Sequence, residues 1–218
     1  MTKTALIVGA SRGLGLGLVR ELAARGWRVT GTVRDLARAE AVEGVRFVEA
    51  DVTDAEAGAR LAGEIDAPLD LLFVNAGIMG TPQPGHEVAP ALIGEIMLTN
   101  AFGPVRLAHA LLPKLSAAAP VAFMTSLMGS IGDNGSGGYD AYRASKAALN
   151  MLAKSFSVTA AKDRPVLCLH PGWVRTAMGG PHAPLEVEES VRGLVDVVAA
   201  TQGSGARFLD YSGKRLPW

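Results

Sequence analysis

The sequence predicts an α/β protein: a single Rossmann-type doubly wound domain of about seven mostly parallel strands, with helices on both faces. Three observations predict it. Short apolar runs alternate with segments of helical spacing, which is the pattern of a covered parallel sheet. The length of 218 residues suits one such domain. Hydrophobic residues make up 49% of the chain and charged residues 19%, so a large core can form. We therefore treat residues 1–218 as one domain.

The first strand and the first helix set the pattern for the rest. Lys3–Gly9 is a short apolar run that ends in glycine, as buried parallel strands often do. Leu14, Leu18 and Leu22 then recur at helical spacing. Gly26 is of the residue type that commonly ends helices. Six further strands are predicted at Trp27–Val33, Val45–Ala50, Leu69–Asn75, Val121–Thr125, Val166–His170 and Ala206–Leu209. Four further helices are predicted at Asp54–Glu64, Ala89–Ser116, Tyr139–Ala161 and Leu185–Ala200.

Composition excludes several classes of partner. Lys and Arg number 21, as do Asp and Glu, so the formal net charge is zero. A nucleic-acid or anionic-membrane surface would need a basic excess, and neither partner is expected. A neutral chain tends to self-associate, so a homo-oligomer, a dimer or tetramer, is expected. Cys168 is the one cysteine, and no Cys/His cluster has metal-ligand spacing, so no metal is expected.

The chain shows no sign of a membrane or export segment. No stretch approaches about 20 uninterrupted apolar residues, the length needed to span a bilayer. Met1–Ala10 is apolar but too short for a signal peptide, and Arg12 follows at once. We expect a protein of the reducing cytoplasm.

A glycine-rich loop joins the first strand to the first helix. The segment Gly9–Gly15 reads GASRGLG, which is the spacing G-x-x-x-G-x-G rather than G-x-G-x-x-G. Glycines allow close backbone approach, and a helix N-terminus offers free N–H groups to a pyrophosphate. The loop therefore predicts dinucleotide binding, although a strand–helix turn that merely needs glycine is the alternative.

Tyr142 and Lys146 stand four residues apart at the head of a predicted helix. Residues with that spacing share one helix face. A free phenol titrates near ~10, and an adjacent positive charge favours the phenolate and lowers the pKa. The pair therefore predicts a proton donor that works near neutral pH. The alternative is an ordinary half-buried tyrosine beside a solvated lysine.

Taken together, the glycine loop and the tyrosine–lysine pair resemble the short-chain dehydrogenase/reductase family, over nearly the whole chain. Further motifs follow the strands in the family's order. They are Asp51-Val52 after the third strand, Asn75-Ala76-Gly77 after the fourth, Asn100 in the long helix, Ser126 at the end of the fifth strand, and Pro171-Gly172-Trp173-Val174-Arg175-Thr176 after the sixth. The segments Met124–Asn150 and Gly213–Trp218 resemble more specifically the carbonyl reductase subgroup that includes sniffer and the C-factor proteins.

The resemblance implies roles for these residues. Tyr142 would be the general acid in reduction and the general base in oxidation. Lys146 would lower its pKa and hydrogen-bond the nicotinamide ribose, and Ser126 would donate a hydrogen bond to the substrate oxygen. Asn100 would anchor a water that relays protons to Lys146. The residues expected to bind coenzyme are Gly9, Ser11, Arg12, Gly13, Leu14, Gly15, Arg34, Asp51, Val52, Asn75, Ala76, Gly77, Tyr142, Lys146, Pro171, Gly172, Val174 and Thr176.

Two serines compete for the catalytic position. Ser126 lies sixteen residues before Tyr142 and Ser130 lies twelve before it, so the usual family spacing selects neither. Ser126 is preferred because it ends an apolar strand, where catalytic groups of open α/β sheets gather. The glycine-rich stretch Gly132–Gly138 can absorb an insertion between the two motifs.

The predicted coenzyme is NADP(H) rather than NAD(H). By resemblance, Thr32 occupies the position of the acid that selects NAD, and Arg34 follows where a cation favours NADP. Arg12 offers a second cation to a 2′-phosphate. Alternatively, both arginines are solvated, and Asp35 could partly neutralise Arg34.

The resulting hypothesis is an NADPH-dependent reductase of aldehydes, ketones or quinones. A non-catalytic nucleotide-sensing or signalling protein on the same scaffold is the alternative. A sugar-nucleotide epimerase or dehydratase would need a larger C-terminal portion. Gly172–Pro184 is expected to form a mobile cover over the substrate. Five apolar residues beside the catalytic loops could line an apolar pocket or belong to the core: Met79, Leu127, Met128, Trp173 and Met178.

Overall fold

A computed structural model describes residues 2–218 and contains a single seven-stranded sheet. The strands are β1 (Thr4–Val8), β2 (Arg28–Val33), β3 (Val45–Glu49), β4 (Leu71–Val74), β5 (Val121–Met124), β6 (Pro165–His170) and β7 (Gly205–Asp210). Their order in the sheet is β3-β2-β1-β4-β5-β6-β7, and every neighbouring pair is parallel. The predicted fold class is confirmed, and each predicted strand is present.

Helices connect these strands. They are α1 (Gly13–Ala24), α2 (Ala57–Glu64), α3 (Pro90–Met97), α4 (Gly103–Leu111), α5 (Asp140–Thr159) and α6 (Val187–Ala200). Among residues 2–218, no helix combines the length and the apolar character needed to cross a membrane.

The prediction of one unbroken helix through Ala89–Ser116 is wrong, because the helix is interrupted. A π-helical turn, Leu98–Phe102, separates α3 from α4, and a 3₁₀ turn follows α4. Pro104 supplies one physical reason, because it has no N–H to donate to the carbonyl of Asn100, four residues earlier. Gly103 supplies another, since a Cβ there would lie 2.3 Å from the Val52 carbonyl oxygen. The wider turn places Asn100 in the interior, where it is fully buried.

Both faces of the sheet are covered by apolar packing. Adjacent residues of β1 belong to different clusters: Leu6 packs with Phe156 of α5, and Ile7 packs with Leu18 of α1 and Leu194 of α6. This explains why the central strands have continuous apolar sequences rather than alternating ones.

The order of the strands defines one crevice. From β1 the chain moves to β2 and β3 on one side, and then returns to β4 on the other side of β1. The switch point therefore lies between β1 and β4, at the carboxyl ends of the strands. In open α/β sheets, ligands bind in this crevice.

Candidate active site

The glycine loop after β1 is packed too tightly for side chains. A Cβ on Gly15 would lie 2.0 Å from the Gly9 carbonyl oxygen and 2.6 Å from the Asn75 Nδ2 atom. Asn75 Nδ2 donates a hydrogen bond of 2.7 Å to that same carbonyl. Gly9 itself has a φ of +84° and lies against Ala76, since a Cβ on Gly9 would be 2.8 Å from the Ala76 Cα. The motif after β4 thus holds the loop in place.

Thr32 secures the loop from the other side. Its buried hydroxyl accepts a hydrogen bond of 3.0 Å from the Gly9 N–H. Thr32, which occupies the position expected of an acid that selects NAD, therefore supports the glycine loop instead. Sequence reasoning missed this role because the contact depends on the pairing of β1 with β2.

The start of α1 suits a pyrophosphate. Arg12 precedes the helix with extended backbone, and its side chain makes no capping hydrogen bond to the first turn. The first N–H groups of a helix have no intrahelical partner, and an anion can satisfy them. Thr176 lies opposite, because a Cβ on Gly13 would be 3.5 Å from the Thr176 Cγ2 atom. Ser11 and Leu14 belong to the same loop and first turn.

Arg34 follows β2 at the same edge. The neighbouring Asp35 carboxylate accepts a hydrogen bond of 3.0 Å from the Ala37 N–H and lies 3.3 Å from Arg38. Asp35 therefore pairs with Arg38 and not with Arg34. Over residues 2–218, neither Arg34 nor Arg12 forms an ion pair.

The segment after β3 is held in a fixed turn. The Asp51 carboxylate accepts hydrogen bonds of 2.8 Å from both the N–H and the hydroxyl of Thr53. Val52 is buried, and its carbonyl accepts a hydrogen bond of 3.3 Å from Arg106. These contacts place the segment expected to hold the adenine on the β2–β3 side of the crevice.

Three predicted catalytic side chains converge at the opposite side of the switch point. Tyr142 and Lys146 lie on one face of α5 and are 6% and 3% exposed. The Lys146 Nζ atom is 5.7 Å from the centre of the Tyr142 ring and donates a hydrogen bond of 2.9 Å to the Met124 carbonyl. Ser126 follows β5, and its hydroxyl lies close enough to the phenol to act on the pKa of Tyr142.

The pKa values of this pair reflect burial more than charge. Burial raises the pKa of Tyr142 to about 12, although the Ser126 hydroxyl acts in the opposite direction. Burial lowers the pKa of Lys146 to about 8. The expectation that the pKa of Tyr142 lies below its ordinary value is therefore wrong for this structure. Desolvation of the phenolate dominates, and the lysine ammonium is hydrogen-bonded to a carbonyl.

Ser130 lies in a different environment from Ser126. Its hydroxyl donates to the Trp218 carbonyl at 3.5 Å and accepts from the Asp133 N–H at 3.1 Å. The Ser126 hydroxyl also accepts from the Met128 N–H at 3.1 Å, which fixes its orientation. The structure therefore brings Ser126, and not Ser130, to Tyr142.

Asn100 ties the segment after β4 to α5. Its amide accepts a hydrogen bond of 2.8 Å from the Ile78 N–H and donates one of 2.7 Å to the Ile78 carbonyl. It also donates one of 3.0 Å to the Ser145 hydroxyl, which in turn donates to the Tyr142 carbonyl at 2.7 Å. The side chain therefore positions the segment after β4 against α5, and the proton relay through Asn100 stays a prediction. Ser145, directly before Lys146, was not predicted as a site residue, although it links Asn100 to the Tyr142 carbonyl.

Gly77 is wedged between two of the predicted catalytic residues. A Cβ there would lie 3.2 Å from the Asn100 Oδ1 atom and 3.3 Å from the Lys146 Nζ atom. A side chain at this position would crowd the lysine from the coenzyme side of the crevice.

The segment after β6 is anchored at both ends. The Pro171 carbonyl accepts a hydrogen bond of 2.7 Å from the Ser190 hydroxyl of α6. Gly172 has a φ of +85°, and Val174 pairs with Leu185. The Thr176 hydroxyl accepts from the Gly179 N–H at 3.0 Å. The predicted cover, Gly172–Pro184, is therefore an internally bonded loop joined to the sheet and to α6.

The apolar residues beside the catalytic loops are not part of the core. Trp173 and Met178 are 59% and 45% exposed, and Ile131 is 80% exposed. Met79, Leu127 and Met128 are partly exposed. The alternative that these side chains belong to the core is therefore wrong, and their lining of a substrate pocket stays a prediction.

The comparison with protein families decides the identity of the scaffold. The profile described as short chain dehydrogenase matches residues 3–185. The chain belongs to the short-chain dehydrogenase family. The predicted family resemblance is thereby confirmed.

Relatives within this family differ in described role. C-signal of Myxococcus xanthus is 43% identical over 155 residues, covering 69% of this chain and 93% of the relative. The 1-hydroxy-2-glutathionyl-2-methyl-3-butene dehydrogenase of Rhodococcus sp. strain AD45 is 34% identical over 225 residues, with 99% of each chain covered.

Solved structures of the same family superpose closely. A short-chain dehydrogenase/reductase from Burkholderia multivorans with bound NADP has a TM-score of 0.94 and 39% identity, covering 100% of both chains. The carbonyl reductase Sniffer of D. melanogaster has a TM-score of 0.92 and 33% identity, also with full coverage. The predicted likeness to the sniffer and C-factor subgroup is therefore confirmed.

Proposed function

We propose that this member of the short-chain dehydrogenase family is an NADPH-dependent reductase of aldehydes, ketones or quinones. One observation carries the proposal. A phenol, a serine hydroxyl and a lysine ammonium converge at the carboxyl edge of the sheet, beside a glycine loop that suits a pyrophosphate. Such a coenzyme, when bound, supplies the hydride.

The residues divide the remaining work. Ser126 holds the substrate oxygen by a hydrogen bond, and Tyr142 gives its proton to the developing alkoxide. A pKa of about 12 keeps the phenol protonated and ready for reduction at neutral pH. The Lys146 Nζ atom lies 5.7 Å from the centre of the Tyr142 ring, and this residue would hydrogen-bond the nicotinamide ribose of the coenzyme. Burial of both residues excludes water and strengthens these interactions.

NADP(H) is the proposed coenzyme. Arg34 and Arg12 are unpaired cations within residues 2–218, and Asp35 is engaged with Arg38. The position expected of an acid that selects NAD holds Thr32, whose hydroxyl supports the glycine loop. The NADP bound to the Burkholderia relative supports the same choice.

A signalling role without catalysis is the second candidate, and the 43% identity to C-signal favours it. The presence of Tyr142, Lys146, Ser126 and the buried Asn100 favours catalysis instead.

Self-association of this chain and its location in the cytoplasm stay predictions.

A panel of carbonyl compounds tests the proposal. NADPH consumption would be followed with aromatic aldehydes, cyclic ketones and quinones, with NADH in parallel. We expect turnover of at least one class and a clear preference for NADPH. The reverse reaction would be tested with glutathione-adduct alcohols, since one relative is named for such a substrate. NADPH binding without turnover on any compound would favour the signalling candidate.

A further inference from the structure

The entry to α5 has unusual backbone geometry. Gly137, Gly138 and Tyr139 have φ angles of 61°, 74° and 54°. In the part of the chain that the structure describes, this is the single run of three consecutive positive φ angles. Glycine adopts this left-handed conformation freely, whereas a tyrosine adopts it at a cost of about 1–2 kcal/mol. Tyr139 directly precedes α5 and lies three residues before Tyr142.

Arg143 holds this run in place. Its Nε atom donates to the carbonyls of Gly138 at 2.8 Å and Gly137 at 3.1 Å. Its Nη2 atom donates to the Gly137 carbonyl and the Ser136 hydroxyl, both at 2.9 Å. The planar guanidinium thus bridges three successive residues, a geometry that a single ammonium cannot reproduce. Over residues 2–218, Arg143 forms no ion pair, so these bonds account for its interactions as a cation.

The same residue also belongs to the first turn of the helix. The Arg143 N–H donates to the Tyr139 carbonyl at 2.9 Å, so backbone and side chain together close the turn that carries Tyr142. The preceding segment, residues 131–138, is exposed, and its other hydrogen bonds are local except for one of 3.1 Å from the Gly132 N–H to the Trp218 carbonyl. The Asp140 carboxylate also tethers this turn, since it accepts a hydrogen bond of 2.9 Å from the Gly85 N–H. Without the Arg143 guanidinium we expect Tyr139 to relax to a right-handed or extended conformation and to shift the residues around Tyr142.

We propose that Arg143 is a positioning residue. It keeps the entry of α5 in the left-handed form and thereby sets the position of the Tyr142 phenol relative to Ser126. The catalytic consequence rests on the proposed reductase function, whereas the effect on the backbone does not. A displacement of about 1 Å at a reacting group can cost up to about a hundredfold in rate.

The test combines two positions. Arg143→Ala should lower kcat by about tenfold or more, with the Kd for NADPH changed by less than about twofold. Arg143→Lys should lower kcat nearly as much, because a single ammonium cannot bridge the three residues as the planar guanidinium does. Asparagine tolerates the left-handed conformation and caps helices well. The double variant Arg143→Ala/Tyr139→Asn should therefore recover part of the kcat that Arg143→Ala loses, with Tyr139→Asn alone as the reference.

Amide hydrogen exchange gives a readout that does not depend on activity. Residues 137–142 should exchange faster in Arg143→Ala, while the β-strands keep their protection. Lys154→Ala, which removes an exposed cation from the same helix, should leave both kcat and exchange unchanged.

Two results would overturn the inference. One is an Arg143→Ala variant with the kcat, pH profile and exchange of the parent. The other is a loss of kcat that Tyr139→Asn does not recover, accompanied by faster exchange throughout the sheet, which would indicate a general folding role. A parent protein inactive on the whole carbonyl panel would count against the proposed function instead, and the exchange data would still decide the role of Arg143.

Discussion

Gly15→Ala is the perturbation whose effect the structure specifies most closely. The new methyl would lie 2.0 Å from the Gly9 carbonyl oxygen, so α1 must move away from β1 by more than about 1 Å to restore normal contact. The obstacle is backbone, which cannot rotate aside as a side chain can. Overpacking of this kind costs about 1–3 kcal/mol, and the strained Asn75–Gly9 hydrogen bond adds about 1 kcal/mol. We expect destabilisation of about 3 kcal/mol.

Thermal unfolding and coenzyme titration measure this effect. For a domain of this size, each kcal/mol corresponds to about 2–4 °C in Tm, so the variant should lose about 10 °C. Affinity for NADPH should fall by more than about tenfold, because the loop and the start of α1 shift together. Gly63→Ala is the matched control. A Cβ at Gly63 meets nothing within 4 Å, and the substitution should raise stability by about 0.5–1 kcal/mol. A Gly15→Ala variant with the parent's Tm and NADPH affinity would refute the packing argument.

Three other predictions follow from the same structure. Arg34→Ala should weaken NADPH binding by about tenfold or more while changing NADH binding little, and an equal loss for both coenzymes would contradict the 2′-phosphate assignment. Burial lowers the pKa of His170 to about 4, below its ordinary 6.5, so the unfolded chain binds the proton more tightly. The stability that this difference contributes above pH 6.5 should therefore be lost as the pH falls towards 4, by about 3 kcal/mol. Between pH 7 and pH 4.5, the Tm of His170→Gln should fall by less than the Tm of the parent. Finally, NADPH should protect Gly172–Pro184 from protease, and equal cleavage with and without the coenzyme would argue against a mobile cover.

The sheet could be predicted from sequence because its central strands are buried on both faces. Short, continuous apolar runs therefore indicated strands. Because helical segments separate these runs, the strands were expected to lie parallel in one sheet. The break at Asn100 was harder to foresee. Residues 98–102 have no helix-breaking type among them, and the cause lies in Pro104 and in the approach of the Val52 carbonyl.

The members of the candidate site could be predicted better than their electrostatics. Spacing on one helix face was enough to pair Tyr142 with Lys146, because that relation is local. The raised pKa of the tyrosine depends on how deeply three separate elements bury it, which spacing cannot report. The support that Thr32 gives Gly9 and the left-handed Tyr139 also arise from distant contacts or backbone geometry without a sequence signal.

Tyr142→Phe tests the central claim most directly. The variant removes one hydroxyl from a buried ring and leaves the packing of α5 in place. Turnover of the best carbonyl substrate and the Kd for NADPH would be measured on the same preparation, with Tyr211→Phe as the control for loss of a phenol elsewhere. The account predicts a fall in kcat of at least about a hundredfold with NADPH affinity nearly unchanged. Activity equal to that of the parent would contradict the assignment of the proton donor.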